Sequence, residues 1–171
     1  MNETLKTILT RRSTRKFLHK PIPAEDLDLI VQAALHAPSG MGKQTWQFTV
    51  VKNRAKIQEL AAAIAVVLGR EGYDMYAPEV LIIPSNEADS RFGKEDNACA
   101  LENIFLAAHS LGIGSVWINQ LQGICGDPRI REILTAFGIP ENHVVYGLAA
   151  LGYPDDVKSH KERIGKVAVV E

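Results

Sequence analysis

Two stretches carry residue types that could do chemistry. Arg11-Arg12-Ser13-Thr14-Arg15 sets three arginines and two hydroxyls within five positions. The planar guanidinium fork grips a phosphate or carboxylate bidentately, and hydroxyls add bonds to the same oxygens. The same composition also suits a solvated basic turn. The second stretch is His36-Ala-Pro-Ser-Gly-Met-Gly-Lys-Gln-Thr-Trp-Gln-Phe48. Gly40 and Gly42 permit backbone angles that other residues resist, which would let a flat ligand approach the main chain. An ordinary helix-to-strand connection has this composition too. No G-x-S-x-G elbow surrounds Ser39, no two carboxylates stand out as an acid/base pair, and no Cys/His spacing suggests a metal site. The dinucleotide G-x-G-x-x-G and the P-loop are absent, and Gly112-x-Gly114 follows a helix. Anion-gripping groups without a catalytic side chain suit a protein that binds a phosphorylated cofactor and leaves the reaction to it.

The elements that would position these stretches follow from periodicity. Thr4 to Leu9 reads as a short helix. Phe17 to Ile22 is extended, since Pro21 and Pro23 disfavour helix before them. A helix begins at Pro23 with acids in its first turn and carries Leu27, Ile30, Val31, Ala34 and Leu35 on one stripe, stopping before Pro38. Trp46 to Val51 is a strand. Asn53 caps a helix from Arg54 to Leu68. Glu79 to Pro84 is a buried strand, and Ser85 to Gly93 is a polar loop. Lys94 to Leu111 is the longest helix, where Cys99 is expected to be a buried, inert thiol. Ser115 to Ile118 is a strand, Pro128 to Phe137 a helix capped by Asp127, and Val144 to Leu151 the last strand. Four strands and five helices imply a sheet covered on both faces.

The 171 residues, 46% apolar and 23% charged, suit a single domain spanning 1–171 with its own core. A formal charge of -1 and the lack of aromatics among the arginines argue against nucleic acid. No apolar run approaches a membrane span. Cys99 and Cys125 are too few for a disulfide framework, so a reducing cytoplasm is expected.

Four stretches together resemble the FMN-dependent nitroreductase family: Arg11-Arg-Ser-Thr-Arg-Lys-Phe17, Ala37-Pro-Ser-Gly-Met-Gly-Lys-Gln-Thr-Trp46, Asn103 to Trp117, and Ala149-Ala-Leu-Gly-Tyr-Pro154. They occur in the family's order and cover almost the whole chain. The resemblance implies an α+β nitroreductase-like fold, with a mixed, largely antiparallel sheet between helices, and an intertwined homodimer with FMN at the interface. It implies ping-pong chemistry in which NADH or NADPH reduces the flavin and a nitro compound, quinone or similar planar acceptor takes the electrons. The other reading is a flavin-binding storage or regulatory protein with little turnover.

Carried over by resemblance, Arg11, Arg12 and Ser13 match the cofactor-binding R-[RY]-S, with Arg11 on the phosphate. Arg15 matches the basic residue at the flavin N1/C2 edge and is the one catalytic residue implied, acting electrostatically. Pro38, Ser39 and Gly40 would lie over the ring system from the other subunit, with Gly42 beside them. Trp117, Ile118 and Asn119 match the segment whose backbone faces the flavin, and Lys161 and Arg163 the basic pair that completes the phosphate clamp. Three departures stand out. Gly42 replaces a common asparagine, Thr45 replaces a common proline, and only Ser85 to Gly93 remains of a longer covering segment, which implies a more open pocket.

Overall fold

The structure, a computed structural model, describes residues 1–155 and 162–171. The described residues form five helices and five strands, in the order α1 (Glu3–Thr10), α2 (Ala24–Leu35), β1 (Trp46–Val51), α3 (Arg54–Leu68), β2 (Val80–Glu87), α4 (Gly93–Ser110), β3 (Gly114–Ile118), α5 (Pro128–Ala136), β4 (His143–Val144) and β5 (Leu148–Gly152). A 3-10 turn, Gly40–Gly42, sits between α2 and β1.

The helix boundaries follow local chemistry. Asn2, Asn53 and Asp127 each accept a main-chain N–H with the side-chain oxygen, capping α1, α3 and α5. Gly69, at φ 61°, closes α3 in the left-handed region.

The strands form one sheet in the order β1-β2-β5-β3, with β4 added to the far end of β2. All these pairings are antiparallel. A parallel bridge, Ser13 to Ser115, makes the arrangement mixed. One row across the sheet runs Val50, Ile82, Ala149, Trp117.

Side chains alternate between two cores. Leu81, Ile83, Val116, Ile118, Leu148 and Ala150 pack with Ile57, Leu60 and Ile64 of α3 and Ile130 and Leu134 of α5. Val80, Ile82, Ala149 and Leu151 pack with Leu27 and Ile30 of α2 and Leu101, Ile104 and Ala108 of α4. The Asn103 amide ties α4 to α2 by donating to the Ala33 carbonyl at 2.8 Å. The sheet is therefore covered on both faces, as the element order implies.

Three expectations are corrected. Strand β2 runs on to Glu87 and α4 begins at Gly93, so the connection expected over Ser85–Gly93 is reduced to residues 88–92. Ser85 and Asn86 stay in the strand because the buried Ser85 hydroxyl meets His143 at 3.0 Å and the Asn86 side-chain carbonyl accepts from Thr45 at 2.6 Å. The strand expected from Val144 to Leu151 is divided into β4 and β5, with Gly147 in the break where a Cβ would collide with the Trp117 indole. Cys99 is exposed, on the side of α4 away from the stripe formed by Leu101, Ile104 and Ala108.

Candidate active site

Three of the four motifs meet along one edge of the sheet. The segment after α1 runs beside β3: the Thr14 N–H donates to the Ser115 carbonyl at 2.8 Å. On its other side the Leu18 N–H donates to the Tyr153 carbonyl at 2.8 Å, and the Asp155 N–H to the Lys16 carbonyl at 3.0 Å. Two glycines allow the close fit. A Cβ on Gly114 would come within 2.8 Å of the Thr14 Cβ, and one on Gly152 within 2.8 Å of the Phe17 ring. Gly114 and Gly152 thus serve the packing of the arginine segment, whereas Gly112, at φ 73°, has open space at its Cβ position and closes the turn after α4.

The segment presents its arginines in different directions. Arg11 pairs with Glu102 of α4 at 3.5 Å and lies 6.0 Å from the centre of the Phe105 ring. Phe105 in turn meets Trp117 at 6.2 Å between centroids. Trp117 is 39% exposed, and its indole N–H donates to Asn119 Oδ1 at 3.3 Å. Ile118 turns its side chain into the core, so only its main chain is available to a ligand. Arg15 is exposed and stands 5.9 Å from the centre of the Tyr76 ring. Arg12 instead lines a separate cavity of ≈ 160 Å³ with Thr14, His109 and Pro154. His109 Nε2 contacts Thr10 Oγ1 at 2.9 Å, and that hydroxyl donates to the Lys6 carbonyl. The His109 pKa is lowered by partial burial first, then by Arg11 and Arg12.

The Pro38 loop lies elsewhere, against the first turn of α4. The Gly40 N–H donates to Asp96 Oδ1 at 2.7 Å, and Asp96 is only 4% exposed. Met41, Gly42 and Gln44 have φ of 57°, 67° and 50°. Ser39 stabilises the turn, accepting the Gly42 N–H on its carbonyl at 3.0 Å and the Gln44 N–H on Oγ at 3.3 Å. A Cβ on Gly40 would collide with the Phe92 side chain, most closely at Cδ2. The first demand for glycine there is therefore Phe92, rather than a ligand. A Cβ on Gly42 would meet nothing within 4 Å. The loop and the segment 87–92 border a cleft of ≈ 300 Å³. Among the described residues, no hydrogen bond or ion pair joins this loop to Arg11–Arg15.

Arg163 is exposed, and no ion pair connects it to the arginine segment among the described residues. Lys161 lies outside the described residues. Asp96, Phe92, Glu102 and Tyr76 escaped the sequence reading. Asp96 had one legible signal, as an acid in the first turn of the longest helix. The others are placed only by tertiary contact. No group of three or more His, Cys, Asp or Glu residues is arranged to hold a metal among the described residues.

A family model described as Nitroreductase family matches residues 8–153. A crystal structure of a nitroreductase with bound FMN from Bacteroides fragilis is 45% identical and superposes with a TM-score of 0.93 over 100% of both chains. A nitroreductase with bound FMN from Desulfitobacterium hafniense is 30% identical, with a TM-score of 0.88 over 100% of both chains. An NADPH-flavin oxidoreductase from Vibrio harveyi is 33% identical over 185 residues, covering 99% of this chain and 73% of that protein. With matching sequence, matching topology and the arginine segment at the sheet edge, the chain belongs to the nitroreductase family.

Proposed function

We propose that the chain is an FMN-dependent NAD(P)H oxidoreductase, reducing nitro compounds, quinones or similar planar acceptors by two-electron ping-pong turnover. The observation that carries this reading is the arginine segment. Arg11, Ser13 and Arg15 lie on an extended stretch hydrogen-bonded to β3, beside a half-exposed Trp117. Two guanidinium groups and a hydroxyl, backed by an aromatic surface, suit a phosphate at one end and an electron-poor ring at the other. That donor set fits FMN.

FMN, when bound, supplies the two-electron chemistry by taking hydride from NADH or NADPH and passing electrons to the acceptor. Arg11 would hold the phosphate with Ser13 near it, exchanging its Glu102 carboxylate for the ligand, while Arg12 faces the separate cavity beside His109. Arg15 supplies a fixed positive charge at the N1/C2 edge, where negative charge develops. The main chain of Trp117, Ile118 and Asn119 borders the ring. By the family resemblance Arg163 and Lys161 would complete the phosphate clamp, Lys161 lying outside the described residues.

The site is completed by a second copy of the chain, whose Pro38, Ser39, Gly40 and Gly42 cover the ring. Two features support a homodimer. Within one chain the loop holding Pro38 is tied to Asp96 and Arg11 to Glu102, and among the described residues no hydrogen bond or ion pair joins the loop to the arginines. Apolar surface is also left uncovered: Leu5, Ile8 and Leu9 of α1 are 49%, 47% and 55% exposed, and Ile164, Val167, Val169 and Val170 of the tail are exposed too. No described helix is long and apolar enough to cross a membrane.

Anaerobic mixing of the FMN-loaded protein with NADH or NADPH tests the reading. Flavin absorbance should bleach far faster than that of free FMN. Bleaching at the free rate with both nucleotides would replace it with a storage or regulatory role, and failure to bind FMN would remove both.

A further inference from the structure

Between α3 and β2 the chain makes a turn that local preference opposes. Met75, Tyr76 and Ala77 have φ of 53°, 67° and 46°, three consecutive non-glycine residues in the left-handed region. Each is disfavoured there by contact between its Cβ and the following carbonyl. The turn is held on both sides. Asp74 accepts the Tyr76 N–H on Oδ1 at 2.8 Å and the Ala77 N–H on its carbonyl at 2.9 Å. Met75 is fully buried in the core between the sheet and α3. Burial of Met75 accounts for one of the three residues and leaves Tyr76 unexplained, since its ring is 39% exposed.

What the turn achieves is the placement of that ring. Tyr76 stands beside the guanidinium of Arg15, 5.9 Å from ring centre to Cζ. Among the described residues no carboxylate pairs with Arg15. Strained backbone persists where surrounding structure over-determines it, and it concentrates at working sites.

We propose that Tyr76 is a positioning residue. Its ring fixes the Arg15 guanidinium at the flavin edge, and the left-handed turn 75–77 serves to present that ring. The inference rests on the reading of Arg15 given above. A guanidinium held against an aromatic face samples fewer rotamers than a free one. A cation held at that edge favours two-electron-reduced over oxidised FMN, because reduction adds negative charge there, and a wandering cation favours it less.

The test compares the FMN-loaded wild type with Tyr76→Gly, Tyr76→Phe, Arg15→Ala and the double variant Arg15→Ala/Tyr76→Gly. The readouts are the midpoint potential of bound FMN and the thermal midpoint of the apo protein. Glycine relieves the left-handed strain, so Tyr76→Gly should keep its thermal midpoint. Its potential should fall by about 15 mV, the equivalent of about threefold in relative affinity for the two oxidation states at ~30 mV per tenfold. Tyr76→Phe keeps the ring and should match the wild type. Arg15→Ala should shift further, and adding Tyr76→Gly to it should change nothing more. A wild-type potential in Tyr76→Gly, with a shifted Arg15→Ala, overturns the inference and leaves the role of Arg15 standing. Wild-type potentials in both overturn the inference together with the role assigned to Arg15.

Discussion

The two halves of the proposed site are built in opposite ways. The segment from Arg11 to Leu18 is bound along both sides by main-chain hydrogen bonds, to Ser115 on β3 and to Tyr153 and Asp155 beyond β5. Its side chains are aimed by the sheet. The loop from Pro38 to Gln44 is tied to the rest of the chain by the Gly40 N–H on the buried Asp96 carboxylate, and, where it joins β1, by the Thr45 hydroxyl on Asn86 and Ser90. The rest of its shape comes from Met41, Gly42 and Gln44 in left-handed conformations and from Phe92 filling the space beside Gly40. A cofactor phosphate needs fixed charges, and the sheet supplies them. A loop that covers a planar ligand, as proposed, needs less definition, and this short turn borders a cleft of ≈ 300 Å³.

The contrast can be broken at several points. Arg11→Ala should have the largest effect, weakening FMN binding roughly 10- to 150-fold, on the basis of about 1.5–3 kcal/mol for a hydrogen bond to a charged group. Fluorescence titration of FMN into the apo protein reads it, with stability little changed. Gly40→Val should do the reverse, destabilising the fold more than it alters the phosphate end. Its side chain must displace Phe92, a conflict of about 1–3 kcal/mol, or about 2–12 °C in thermal midpoint for a chain of this size.

Gly42→Asn should be mild. The added Cβ meets open space, and asparagine tolerates a left-handed backbone better than most residues. If the loop of one chain faces the flavin of another, the new amide adds a hydrogen bond, tightening FMN roughly 2- to 10-fold on about 0.5–1.5 kcal/mol. Unchanged affinity would place position 42 away from the ring.

The smallest effect concerns His109. Its pKa in the folded chain is lowered from 6.5 by burial, then by Arg11 and Arg12. The unfolded chain therefore takes up a proton first as pH falls. Stability should be unaffected above about pH 6.5 and should decline below it, down to the folded pKa. His109→Gln should flatten part of that decline in thermal melts. A residual slope should remain, because His143 is lowered in the same direction, by burial and then, against the pull of Glu87, by Arg131.

Much of this was legible from residue order. Helices α2 and α3 and strand β1 follow from periodicity and caps, because those signals are local. The polarity of Ser85 and Asn86 predicts a loop and a shorter β2, because their partners His143 and Thr45 come from distant parts of the chain. The strand after His143 was read as continuous because nothing local shows that Trp117 occupies the space beside Gly147. For the site, the arginines and the glycine loop were visible as types. That Arg11 and Arg12 diverge, and that Asp96 holds Gly40, depends on α4 passing close to both stretches. No local pattern encodes such contacts.

The central claim is that each flavin site joins the arginine segment of one chain to the Pro38 loop of another. Subunit mixing tests it most directly. Arg11→Ala and Gly40→Val proteins, each weak alone, are unfolded together, refolded with FMN and assayed for NAD(P)H-dependent turnover. In a heterodimer one site receives both defects and the other receives none. Random pairing should then restore about a quarter of wild-type sites. Activity no greater than the sum of the two variants refolded separately would contradict the account and place both halves of the site within one chain.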